Sequence, residues 1–146
     1  MPQGKRRSLV KPTLDTPFHI DFSWWQAHTR DWRFYMHRLL CAEHQKQFED
    51  WKETTPVDWV DPETAEVHPV DGMQYVLMTH CAQQPEFLDA HVPLVDAIFR
   101  MLIANGNRPM TPVELAERLN RPAQARTILR TLTGKRDYLG IRPVEE

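Results

Sequence analysis

The chain has 146 residues, enough for one compact domain or two small ones, and its 41% hydrophobic and 26% charged residues are those of an ordinary globular protein. No apolar run reaches the roughly 18 residues of a membrane span, and the basic N-terminus MPQGKRRSLVKPTLD lacks the apolar stretch of a secretory signal. Two cysteines, Cys41 and Cys81, are too few for a secreted disulfide framework, so a cytoplasmic protein is expected. The net charge of −2 hides a segregation: +4 over residues 1–12, −9 over 13–95 and +3 over 96–146. From Arg121 to Arg136 there are five basic residues and no acid. Charge sorted in this way suggests an acidic body and one end suited to a polyanion.

Residues 1–17 carry Gly, Ser, Pro and Lys/Arg without periodicity and are expected to form a basic flexible arm. Residues 18–91 are expected to form an acidic helical region. Its first helix starts near Asp21, and Phe22, Trp25, Trp32, Met36 and Leu39 share one face by three-, four- and seven-residue spacing. A second helix is expected from Ala42 to Lys52, with Phe48 and Trp51 inward. Val57, Trp59 and Val60 precede the turn tetrad Asp61-Pro62-Glu63-Thr64, and Glu66 to Val70 returns, which predicts a short β-hairpin near 57–70. Gly72 to Gln83 reads as helix, with Met73, Val76, Leu77 and His80 on one stripe. Pro85 to Ala90 is expected to add a helical turn before the C-terminal unit.

The last unit, 92–146, is the most strongly patterned. Pro93 opens a helix with Val95, Ile98, Phe99 and Leu102 inward and a stop at Asn105-Gly106. Thr111-Pro112-Val113-Glu114 is a capping box ahead of a helix burying Leu115, Ala116 and Leu119. After Asn120-Arg121-Pro122, a third helix, at about 122–133, buries Ala125, Ile128, Leu129 and Leu132. Gly134 ends it, and Tyr138 to Val144 reads as a short extended segment. This order, carried by TPVELAERLNRPAQARTILRTLTG, resembles the winged helix-turn-helix superfamily over about 50 of the 146 residues. The expected fold class is thus mainly α: an aromatic-rich helical N-terminal half with one short hairpin, followed by a winged helix-turn-helix. The segment after Gly134 is short for a full two-stranded wing.

The resemblance, together with the charge segregation, implies a DNA-binding protein, in the role of a transcriptional regulator. Arg126, Thr127 and Arg130 would face the major groove of double-stranded DNA. Arg121, Lys135, Arg136 and Arg142 would meet phosphates, which position a domain without reading sequence. The other reading is a non-catalytic adaptor that docks on a larger complex. Trp24 and Trp25 are consecutive and cannot both point squarely at one core, so an exposed indole would serve a homodimer or protein partner.

His37, Cys41 and His44 recur at i, i+4 and i+7, and His80 and Cys81 follow later. Cys41-x-x-His44 has the spacing of half a zinc site, and His37 with either His80, the first choice, or Cys81 would complete a set of four. On a helix His80 and Cys81 would diverge by about 100°, so both serving one ion is awkward. The opposing reading is that these are buried core residues, with no cofactor bound. No phosphate loop, nucleophile elbow or His-Glu-x-x-His is present, and the chain is read as non-catalytic.

Overall fold

The computed structural model describes residues 11–28, 31–52 and 54–144. Lys5, Arg6 and Arg7 of the expected arm lie outside the described residues. Aspartates set most of the early helix starts. Asp21 accepts the Ser23 N–H and opens α1 (Phe22–Ala27), and Asp31 accepts the Arg33 N–H at 2.9 Å and opens α2 (Trp32–Leu39). The apolar spacing predicts one helix here, whereas the structure has two. Asp31 is extended (φ −96°, ψ 112°) and caps a fresh start. α3 (Ala42–Gln47) follows from Cys41 and is shorter than expected, with none of its residues buried.

The hairpin is β2 (Pro56–Val60) against β3 (Val67–Asp71), with Val60 opposite Val67. Its turn is pinned by Asp61, whose carboxylate accepts the Glu63 N–H at 2.8 Å. Arg108 stands 3.5 Å from Asp61 and 2.9 Å from Glu63. The Glu63 N–H, ahead of the Arg108 charge, holds the Asp61 carboxyl below its usual range. Asp71 ends β3 and at once caps α4 (Gly72–Thr79), accepting the Met73 N–H at 2.8 Å. Two 3-10 turns, Cys81–Gln83 and Pro85–Leu88, lead to α5 (Leu94–Ala104). The expected capping box of Thr111 and Glu114 opens α6 (Pro112–Arg118). A 3-10 turn at Pro122–Gln124 then runs into α7 (Ala125–Leu132), which buries Ile128 and Leu132. None of the described helices is long and apolar enough to cross a membrane.

The N- and C-terminal parts are joined by a strand. β1 (Phe18–Ile20) pairs antiparallel with β4 (Ile141–Pro143), Phe18 opposite Pro143 and Ile20 opposite Ile141. On its other edge, Phe18 exchanges both backbone hydrogen bonds with Met110, at 2.8 and 2.9 Å. Two residues on, a side chain continues that edge: the Ile20 N–H donates to Asn107 Oδ1 at 2.8 Å, and Asn107 Nδ2 donates to the Ile20 carbonyl at 2.9 Å. Asn107 reaches this position with φ +58°, a left-handed conformation that Asn tolerates better than most residues. The extended segment after α7 therefore finds its partner at residues 18–20. Among the described residues no second strand follows α7, so no wing hairpin is seen there.

One continuous core runs through both parts. Phe18, Ile20, Met36, Met73, Leu77, Ile98, Phe99, Leu102, Leu115 and Ile128 are all at most 1% exposed. Trp24 and Trp25 are both buried, at 7% and 2% exposed, against the expectation that one would face outward. α1 is only six residues long, and its Trp25 ring meets both Tyr35 of α2 and Phe99 farther along the chain. Trp25 Nε1 donates to the Leu139 carbonyl at 3.1 Å, while Trp24 stacks on His28 with centroids 4.3 Å apart. Gly140 (φ +75°) lies under this pair, and a Cβ there would come within 3.0 Å of the Asp21 carbonyl oxygen.

α2 is tied to α5 by the Tyr35 hydroxyl, which donates to Asp96 at 3.1 Å, while its ring meets Phe99 edge-on. Burial, then the Asp96 charge, pushes the Tyr35 phenol up to about 12.

Two predictions follow from this packing. Replacing Asn107 by Ala removes both hydrogen bonds to Ile20 and leaves a positive φ on a β-carbon. Denaturant unfolding should show a loss of about 1–3 kcal/mol; an unchanged midpoint would mean that Ile20 finds other partners. The unfolded chain releases the Tyr35 proton near its ordinary value of 10, whereas the folded chain holds it to about 12. Its contribution is therefore full below pH 10 and falls between pH 10 and 12. In Tyr35→Phe this part of the alkaline decline should vanish from a stability-versus-pH series.

Candidate functional site

Two groups of candidate functional side chains stand apart in the fold. The first is the outer face of α7. With Ile128 and Leu132 buried and Ala125 and Leu129 half-buried, the helix turns Arg126, Thr127 and Arg130 to solvent. Arg126 and Arg130 are four residues apart and therefore neighbours on one face. Lys135 and Arg136, just past the helix, are also exposed. Among the described residues none of these four cations has an ion-pair partner. The other two expected phosphate contacts are placed differently. Arg121 donates to the Val92 carbonyl at 3.1 Å, fixing the chain ahead of α5 to the turn ahead of α7. Arg142, on β4, stands 3.8 Å from Asp21 and 3.6 Å from Asp137. Both are half-buried, and both have a structural use.

The second group is a cluster of Cys41, His44, His80 and Cys81, whose potential ligand atoms all lie within 4.8 Å of one another. Cys41 Sγ is 3.2 Å from His44 Nδ1, 3.7 Å from His80 Nδ1 and 3.5 Å from Cys81 Sγ. Cys81 Sγ is 3.5 Å from His44 Nδ1, and the two imidazoles meet edge-on with centroids 4.4 Å apart. The cysteines are free, and 3.5 Å is far beyond the ~2.05 Å of a disulfide bond. Burial, more than the neighbouring Cys41 sulfur, pushes the Cys81 thiol up to about 11.

Each half of the cluster comes from a local feature. Cys41 holds the N-cap position of α3 without a side-chain cap bond, and His44 lies in the first turn, so the Cys-x-x-His spacing puts both on one side. His80 and Cys81 converge because α4 stops before them. His80 has φ −130° and ψ −63°, and Cys81 begins a 3-10 turn, so the ~100° divergence of a continuous helix does not apply. His37 is not in the group: its Nε2 lies 3.0 Å from the Gln45 carbonyl oxygen. Cys81 takes the place expected for His37. No local sequence signal marks this stop: Pro85 bars a helix only from about residue 84 onward, whereas α4 ends at Thr79.

A set of two sulfurs and two imidazole nitrogens suits a borderline-soft divalent cation. A cleft of about 480 Å³ lies elsewhere, between Trp32, Thr54, Pro69 and Asn107. Its acid, Asp71, is committed to the α4 N-terminus, to Arg33 at 3.4 Å and to the Thr54 hydroxyl. Comparison of the chain with protein families, with curated proteins and with solved structures gives no match.

Proposed function

We propose that this chain binds double-stranded DNA through α7, as a winged-helix-like unit serving transcriptional regulation. The observation that carries the reading is the exposed face of Arg126, Thr127 and Arg130, continued by Lys135 and Arg136, in a stretch without acids. An arginine pair at i and i+4 on a rigid helix can reach guanine edges in the major groove, and Thr127 between them can meet a base or a phosphate. Lys135 and Arg136 then supply backbone contacts that set position. Arg121 and Arg142 act mainly to brace the unit. In place of a wing hairpin, β4 is held by β1, so recognition rests on the helix.

A second reading, protein docking, is favoured by the hairpin. Val60 and Val67 face each other across the strands and are 56% and 58% exposed. With Trp24 and Trp25 buried, this surface takes the docking role expected of an exposed indole.

Fluorescence anisotropy with a random-sequence duplex across a salt series separates the two. DNA binding predicts that log K falls linearly with log salt, by about 0.9 per phosphate neutralised. Arg126→Ala/Arg130→Ala should weaken binding about tenfold or more, and Lys135→Ala should lower the salt slope by about 1. All three side chains are exposed, so circular dichroism should be unchanged. Absence of binding even at low salt would overturn the DNA reading and direct attention to the hairpin.

A further inference from the structure

We propose that Cys41, His44, His80 and Cys81 bind one Zn²⁺ ion as a closed structural centre, independently of any nucleic-acid role. Zinc bonds of about 2.3 Å to sulfur and 2.0–2.1 Å to nitrogen place tetrahedral ligand atoms about 3.3–3.8 Å apart. Four of the six separations are 3.2, 3.5, 3.5 and 3.7 Å, from Cys41 to His44 and to Cys81, from Cys81 to His44 and from Cys41 to His80, and all six are within 4.8 Å. Two cysteines and two histidines are a complete tetrahedral set, with no position left for water or substrate, so the ion serves structure and not hydrolysis.

An independent observation shows what the ion would hold. α3 has six residues and none of them is buried, and a helix that short has little stability of its own in water. Its N-cap and first turn carry two ligands, Cys41 and His44, and the corner after α4 carries the other two. The ion would therefore fasten α3 to α4 where apolar packing does not. Both histidines would ligate through Nδ1, the atom turned to the sulfurs.

The test uses the full chain purified without chelator. Elemental analysis should give about one zinc per chain. Zinc-stripped protein should take up Co²⁺ with the visible spectrum of a tetrahedral thiolate site, bleached by added Zn²⁺. Cys41→Ser and Cys81→Ser should each lower zinc affinity more than about 100-fold, beyond the effect of an outer-shell substitution. His37→Ala, outside the cluster, should keep full zinc. Should the ligand variants fail to fold, the wild-type chain still decides: chelation should lower its Tm, and Zn²⁺ but not Mg²⁺ should restore it. A folded chain that holds no zinc after exposure to it, gives no tetrahedral cobalt spectrum and keeps its Tm in chelator would overturn the proposal. So would a Cys41–Cys81 disulfide in the folded protein.

Discussion

Everything in this fold depends on three residues bonded along both edges. Phe18 to Ile20 pair with β4 on one side, and on the other with the Met110 backbone and the Asn107 side chain. A buried strand cannot leave its N–H and C=O groups unmatched, because each unpaired group costs about 1–3 kcal/mol. Met110 covers Phe18, but the chain diverges before it reaches Ile20, and an amide side chain stands in for the missing backbone. Asn107 is suited to this because one side chain offers both a donor and an acceptor. It also accepts the left-handed turn that follows α5.

This strand explains how the parts share a core. Phe18 and Ile20 are in the same buried cluster as Met36 and Met73 on one side and Leu115 and Ile128 on the other. The acidic and basic parts are thus sorted in charge but not in packing. The proposed recognition helix rests through Ile128 and Leu132 on that shared core, which fixes the direction of its cationic face.

The helices around α5, α6 and α7 were legible because they carry complete local signals: a 3.6-residue apolar stripe, a capping box and a positive-φ stop. The hairpin was legible from its turn; the structure starts its first strand one residue earlier, at Pro56, and shifts its second by one, to Val67–Asp71. β1 was not, since three residues give no periodicity and its partners lie about 90 to 125 positions away. The break at Asp31 was hidden because the apolar spacing continues across it by coincidence of phase. Trp24 and Trp25 misled for a related reason. A helix face is a sound guide when one side is covered, but α1 is enclosed by β4's approach and by α5 together. Half of the metal cluster was visible in Cys41-x-x-His44; the His80–Cys81 half depends on where α4 ends, which tertiary packing decides.

The strand pairing also orders events in time. A ribosome delivers Phe18 more than 120 residues before Ile141 to Pro143. Throughout that interval the backbone of residues 18–20 has at most its Met110 and Asn107 edge paired, and before α5 is made it has neither edge paired. Local helices can form as they emerge, whereas this closure carries the loop entropy of nearly the whole chain. Native packing of the N-terminal tryptophans, which rest on Leu139 and Gly140, is therefore a late step, completed by the same residues that complete the sheet.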